Sequence, residues 1–121
     1  MALARNMMSG GLSGGQCTAI NGRVATGLTA AGTTQATALA ITADHNIFGT
    51  VASSSGARLV AANIADSQSV YNGGANALTV YPPTGAQING VAVNGGVLIS
   101  PNTYCNFTCI TATRWIANLS A

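Results

Sequence analysis

The side chains suited to acid–base or nucleophilic chemistry are few. The only histidine, His45, follows Asp44 in the stretch ITADHNIFG, and Asp66 is the one remaining acidic residue. A Ser-His-Asp triad would need a serine brought close by the fold, and no G-x-S-x-G motif is present to offer one. Both aspartates fall at predicted turns, where Asp is a common turn former. We therefore expect no catalytic residues, and a small hydrolase using His45 remains a hypothesis that His45→Ala would test.

The three cysteines, Cys17, Cys105 and Cys109, are an odd number and cannot all pair within one chain. Cys105 and Cys109 lie in TYCNFTCITA, which reads as a strand, and four residues along a strand span about 13 Å, twice the reach of a disulfide. The same separation argues against a zinc site built from these two cysteines and His45. We expect buried thiols, a reducing compartment, no metal and no cofactor.

The composition restricts the possible partners. Only 5% of residues are charged and 48% are hydrophobic, whereas about 25% of residues are charged in an average globular protein. Every apolar run is interrupted within a few positions, so no membrane span is predicted, and MALARNMMSGGLSGG lacks the apolar stretch of a signal peptide. Four scattered arginines without any lysine do not form a nucleic-acid-binding surface. A nearly uncharged surface favours association, so we predict a homo-oligomer.

The first 32 residues differ from the rest in their glycine content. SGG occurs twice within residues 9–15, and such a segment loses much backbone entropy on folding. We predict an extended N-terminal arm over residues 1–32 that a partner orders, with Arg5, Met7, Met8 and Leu12 as its contact residues. The alternative is a terminus without a role.

Residues 33–121 are predicted to form one β-domain. Short β-type runs alternate with turn signals every 8 to 12 residues, which is typical of an antiparallel β-sandwich or barrel. Asn94-Gly95 between VAV and GVLI predicts a hairpin, and the loop Asn72–Asn76 predicts a longer one. The stretch TTQATALAIT is interpreted as a strand because of its β-branched residues. Consecutive strands are thus expected to pair antiparallel.

Alternation along these strands assigns faces to the aromatic residues. Cys105, Phe107 and Cys109 share one predicted core face. Trp115 in ATRWIAN is interpreted as an anchor of the core or of a subunit interface. Tyr71 and Tyr81 are expected to form an exposed aromatic pair across the predicted hairpin. Tyr71, Tyr81, Phe107 and Trp115 are therefore the candidate interface or core residues.

The order of these segments resembles that of small β-rich virion proteins of tailed bacteriophages, which include head decoration (cement) proteins and fibre modules. The resemblance covers about residues 32–117, and its most specific parts are NGGANALTVYPPTGAQING and the terminal ATRW. It implies a protein that assembles on the capsid surface in the bacterial cytoplasm, commonly as a trimer, with the major capsid protein as partner. It implies no catalytic residues.

A second hypothesis is that the chain is a binding module of a phage tail or fibre, which recognises a host glycan or protein. Its candidate residues are the tyrosines near loop tips, Tyr71, Tyr81 and Tyr104. A receptor-binding fibre normally also carries a trimeric shaft, and no heptad or fibre repeat is visible in the sequence. This favours a decoration protein.

Overall fold

The computed structural model describes residues 23–60 and 63–120, and this part of the chain consists of strands and turns without any helix. The strands are β1 (Val24–Thr29), β2 (Leu39–Ala40), β3 (His45–Thr50), β4 (Gly56–Arg58), β5 (Ser67–Asn72), β6 (Leu78–Tyr81), β7 (Gln87–Ile88), β8 (Val97–Ile99), β9 (Thr103–Thr111) and β10 (Arg114–Leu119). The prediction of an all-β fold is confirmed.

Along the first half of the chain, successive strands belong alternately to two sheets. β1, β3 and β5 lie side by side and parallel in a six-stranded sheet, while β2, β4 and β6 lie side by side and parallel in a four-stranded sheet. Each pair of successive strands therefore makes one coil of the chain. His45 lies beside Val24 in one register and beside Ser69 in the next. This stacking of coils is the arrangement of a short β-solenoid.

The C-terminal strands join the last coil in antiparallel fashion. β8 pairs with β6, β9 pairs with β5, and β10 pairs with β9, while the short β7 lies parallel to β10. Both sheets are thus mixed, with β1 and β2 at one edge and the later strands on the other side. The predicted antiparallel sandwich or barrel is wrong in its strand pairing.

The two predicted hairpins are also wrong. The loop Asn72–Asn76 joins β5 to β6, which belong to different sheets, so it is a corner between sheets. The second predicted hairpin fails because Val91–Val93 forms no strand and β8 pairs with β6 instead. Asn94 does adopt the positive φ (65°) that its turn signal indicates. The backbone amide of Asn94, however, donates to the carbonyl of Ala86 at 2.9 Å. The turn is therefore part of the longer connection between β7 and β8.

The stretch TTQATALAIT contains less strand than expected. Only Leu39–Ala40 pairs with a neighbour, while Thr34 and Thr37 close a turn in which their hydroxyl oxygens lie 2.8 Å apart. Threonine hydroxyls that bond locally compete with the sheet for backbone groups. The prediction of one continuous strand is therefore wrong.

The β-domain begins before the predicted boundary at Thr33. Val24–Thr29, placed in the predicted arm, forms β1 and pairs with β3. The extended arm is therefore corrected over residues 24–29. Residues 30–32 are described as well, and the amides of Ala30 and Ala31 donate to the carbonyls of Thr50 and Gly56. Residues 1–22 of the predicted arm lie outside the described residues.

The core lies between the two sheets. Its largest fully buried side chains are Trp115, Phe48, Phe107, Ile41, Leu59, Leu78, Ile88 and Ile99. Leu78 and Val80 alternate with less buried neighbours along β6, as the predicted face requires. The inward face of β9 holds Cys105, Phe107 and Cys109, all buried. Burial of these apolar groups at about 25 cal/mol per Å² is the main force holding the sheets together.

Candidate functional site

The fold brings a serine to the histidine. His45 on β3 lies beside Ser69 on β5, and Nδ1 of His45 is 2.7 Å from Oγ of Ser69. Ser69 is only 2% exposed. The carboxylate of Asp44 accepts a hydrogen bond from the amide of Arg23 at 2.8 Å, with no bond to the imidazole ring. The pair thus lacks both an orienting carboxylate and an accessible nucleophile, which a triad requires.

Sequence reasoning missed Ser69 because nothing local marks it. The residue is 24 positions from His45, and only the parallel register of β3 and β5 makes them neighbours. An antiparallel hairpin model, as expected from the turn signals, gives no reason to pair these positions.

Both aspartates line one small pocket of about 200 Å³, together with Thr42, Ala43, Val60, Ser67 and Gln68. Asp44 Oδ2 accepts from the Arg23 amide, and Asp66 Oδ2 accepts from the Asn63 amide at 3.1 Å. The carboxylate of Asp66 closes a local turn, which agrees with the role that the sequence predicts for it. The carboxylate of Asp44 instead ties the start of β3 to Arg23, 21 residues earlier in the chain.

The arginines with side-chain hydrogen bonds also bind the protein itself. Arg58 donates to the carbonyl of Gln35 at 3.1 Å, and Arg114 donates to the carbonyl of Asn89 at 3.2 Å and to Oε1 of Gln87 at 3.3 Å. These charges stabilise connections between strands. They do not converge on one place where an anion would bind.

The two cysteines of β9 are buried, as predicted, and are not joined to each other. Burial raises the pKa of the Cys105 thiol from its ordinary value of 9.0 to about 11. Burial, and secondarily the negative charge of Asp66, raises the pKa of the Cys109 thiol as well. Both shifts disfavour the reactive thiolate. Cys17 lies outside the described residues.

The predicted aromatic pair of Tyr71 with Tyr81 does not form, because these residues lie in different sheets. Tyr71 on β5 instead lies directly opposite Tyr104 on β9. Phe107 and Trp115 lie in the core, 0% and 1% exposed. The expectation for Tyr71 and Tyr81 failed because it assumed that consecutive strands pair.

The outward side of β9 and β10, which we call the β9–β10 face, is partly apolar and carries one charged residue at its margin, Arg114. Its other members are Tyr104, Asn106, Thr108, Ile110, Ile116 and Asn118, which alternate with the inward residues of the two strands. Tyr104, Ile110 and Ile116 are each 40–45% exposed. Ile116 lies beside Thr108 in register.

A groove lies on the outward side of the four-stranded sheet, and we call it the Tyr81 groove. Its volume is about 450 Å³, and it is lined by Thr33, Ser53, Ser54, Asn76, Ala77, Thr79, Tyr81 and Leu98. Among the described residues, no charged side chain belongs to this lining. The Tyr81 hydroxyl donates to the carbonyl of Thr33 at 3.2 Å.

The remaining expectations concern the arm contacts, metal sites and membrane spans, and the structure describes only part of the chain that they involve. Arg5, Met7, Met8 and Leu12, the proposed contacts of the arm, lie outside the described residues. Within residues 23–60 and 63–120, no group of three or more His, Cys, Asp or Glu side chains is placed to hold a metal ion. The same part of the chain has no helix long and apolar enough to cross a membrane.

No protein-family model matches the chain, and no curated protein or solved structure is significantly similar to it.

Proposed function

We propose that this chain is a bacteriophage capsid decoration (cement) protein. In this proposal it has no enzymatic role, associates as a homotrimer and binds the outer capsid surface, where it bridges neighbouring capsomers. The resemblance of NGGANALTVYPPTGAQING and ATRW to small virion proteins supports this role. The structural observation that carries it is the partly apolar β9–β10 face, whose single charged residue, Arg114, lies at its margin.

A face of this composition is suited to permanent contact. Tyr104, Ile110 and Ile116 expose 40–45% of their surface on two adjacent strands, and clustered exposed apolar groups mark interaction sites. Asn106 and Thr108 between them carry no charge, so covering the centre of the face removes no ion from water. Arg114 at the margin is bonded to Asn89 and Gln87. The centres of protein interfaces are likewise poor in charged residues and rich in aromatic ones.

The proposed mechanism is multivalent attachment. A trimer presents three copies of each contact, so individually weak contacts to neighbouring capsid subunits become strong together. Arg5, Met7, Met8 and Leu12 would extend each copy's reach onto an adjacent capsomer. The added contact area would resist the outward pressure of packaged DNA.

The experiment is co-sedimentation of the purified full chain with capsids of the phage that encodes it, preceded by light scattering to measure the oligomer. We expect a trimer that sediments with capsids, and a variant lacking residues 1–20 that stays trimeric but remains in the supernatant. Ile116→Arg should weaken the trimer. Leu98→Arg is the matched control, because Leu98 is exposed on the opposite sheet.

Two outcomes would contradict the proposal. One is a wild-type chain that is monomeric and does not sediment with capsids. The other is an Ile116→Arg variant that assembles and binds as the Leu98→Arg control does. Unchanged capsid occupancy after removal of residues 1–20 would refute the role of the arm alone.

A further inference from the structure

The Tyr81 groove has no part in the proposed decoration role, since it lies on the sheet opposite the β9–β10 face. Its floor consists of outward side chains of β6 and β8. Thr79 lies beside Leu98 in register, and both point away from the core, opposite to the buried Leu78 and Ile99. Leu98 is 64% exposed. One side of the groove thus offers an apolar surface next to a hydroxyl.

The aromatic ring of Tyr81 is held in place. A Cβ atom added to Gly56 would lie 2.9 Å from Cε2 of this ring, and one added to Gly96 would lie 3.1 Å from its Cδ1. The ring therefore occupies space that side chains at both glycines would fill. Its hydroxyl is tied to the carbonyl of Thr33 at 3.2 Å. A ring fixed in this way loses little conformational entropy when a ligand binds against it.

The groove also presents hydroxyl groups that the described part of the chain leaves without hydrogen bonds. Those of Ser53, Ser54 and Thr79 have no protein partner there. Asn76 donates from Nδ2 to the carbonyl of Val51 at 2.8 Å, which fixes its amide at the rim. The groove therefore offers a ligand several hydroxyl groups and one fixed side-chain amide.

Ser54 has a strained backbone at this site. Its φ is 62°, a conformation that is uncommon for residues other than glycine, asparagine and aspartate. The turn is held by the amide and hydroxyl of Ser55, which both donate to the carbonyl of Ala52. Strained residues of this kind cluster at ligand sites, where the surrounding structure maintains them.

The chemistry of the lining identifies the class of ligand. Phosphates and carboxylates are bound by cations or converging amides, and within residues 23–60 and 63–120 no charged side chain lines the groove. A purely apolar ligand would leave the hydroxyls unpaired, which costs free energy. A neutral saccharide has both a ring of hydroxyls and apolar C–H faces, which match the hydroxyls and the Tyr81 and Leu98 surfaces.

We propose that the Tyr81 groove is a binding site for a neutral saccharide. The inference goes beyond the decoration role and does not depend on it. Binding there would let a particle-bound copy attach to a glycan-covered surface.

The experiment is saturation-transfer difference NMR on the full chain with cellobiose, lactose, maltose and N,N′-diacetylchitobiose, and with sialyllactose as an acidic comparison. We expect saturable binding of at least one neutral disaccharide. Thr79→Val keeps the shape of the strand and removes one hydroxyl, so it should weaken that binding about threefold to tenfold, the effect of one neutral hydrogen bond. Ser54→Gly removes another hydroxyl while suiting the positive φ.

The controls separate this site from the decoration role. Leu98→Arg should abolish binding, whereas Ile116→Arg, on the opposite sheet, should bind as the wild type does, even if its oligomer is lost. The proposal is overturned if no neutral disaccharide binds, if sialyllactose alone binds, or if Thr79→Val and Leu98→Arg bind with wild-type affinity.

Discussion

At the scale of single residues, buried amides fix the places where the chain leaves one sheet for the other. Nε2 of Gln68 donates to the carbonyls of Ile41 and Ala43 at 2.9 and 3.1 Å, and its Oε1 accepts from the amide of Val60 at 3.2 Å. Corners of this kind carry backbone groups that no neighbouring strand satisfies. A buried side-chain amide, with donors and an acceptor, meets that need.

Asn72 at the end of β5 gives the clearest test of this role. It is fully buried, donates to the carbonyls of Asn76 and Ile99 at 2.8 Å each, and accepts from the amide of Gly74 at 2.9 Å. Asn72→Asp keeps the shape but removes both donors and buries a carboxylate. We expect it to lower the free energy of unfolding by about 3 kcal/mol or more.

Chemical denaturation would measure this loss, with Asn102→Asp as the control at an exposed turn position outside the β9–β10 face. The control should change stability by less than about 0.5 kcal/mol. Equal stabilities of the two variants would show that the Asn72 amide does not hold the corner.

The raised pKa of Cys105 predicts that the free energy of unfolding decreases at alkaline pH. The folded state holds its pKa near 11, above the ordinary 9.0, so between these values the unfolded chain loses a proton that the folded chain keeps. The contribution of this thiol to the free energy of unfolding is fully present below pH 9 and is lost as the pH rises from 9 to 11. The stability difference between wild type and Cys105→Ala should therefore shrink over that window, as measured by denaturation at pH 8 and pH 10.5.

The reactivity of the same thiol gives a second readout. At pH 8 its thiolate fraction should be about a hundredfold below that of an ordinary cysteine, and burial adds further protection. Iodoacetamide labelling followed by peptide mass spectrometry should find Cys105 modified only in denaturant. Rapid labelling in the native protein, or a pH-independent effect of Cys105→Ala, would contradict the raised pKa.

At the scale of elements, the corner glycines of the segment YNGGAN are required by close packing. A Cβ on Gly74 would lie 2.7 Å from Cβ and from the amide nitrogen of Val51, closer than real contacts allow. The corner of one coil therefore packs directly against the end of the preceding one. The sequence predicts a turn here, but its glycines serve the stacking of coils rather than a hairpin.

Gly74→Ala should consequently destabilise the protein, by about 1–3 kcal/mol for an overpacked site. Gly90→Ala is the matched control, since a Cβ there meets nothing within 4 Å and its φ is not positive. It should be neutral or stabilising by less than about 1 kcal/mol. Thermal unfolding of both variants compares them, and equal melting temperatures would mean that the corner can expand without cost.

At the scale of the whole molecule, the sequence identifies strands and buried faces but not their pairing. Alternation places Leu78, Val80, Cys105 and Phe107 on inward faces whichever strand lies alongside. Turn residues such as Asn94-Gly95 report local φ angles, which a hairpin and a coil both use. The register that stacks β3 between β1 and β5 depends on contacts about 20 residues apart, which neither turn signals nor alternation report. For the same reason, the sequence does not predict the His45–Ser69 pair or the Tyr81 groove.

The stacked arrangement predicts an ordered gradient of local stability. β5 lies between β3 and β9, with strands bonded on both sides, whereas β1 lies at the sheet edge. The pairing of β1 with β3 is interrupted by two register shifts, and Gly27 within it has a φ of 65°. Irregularities of this kind weaken an edge and also discourage another chain from pairing with it.

Amide hydrogen exchange of the full chain, followed by NMR, should therefore find the slowest exchange in β5 and β9, faster exchange in β3 and the fastest in β1, because local opening requires fewer bonds to break at an edge. Ile116→Arg should leave this order intact, since the gradient arises within one chain. If β1 exchanged as slowly as β5 in the wild type and in Ile116→Arg alike, the predicted gradient would be wrong, and another segment or another copy would have to cover the β1 edge.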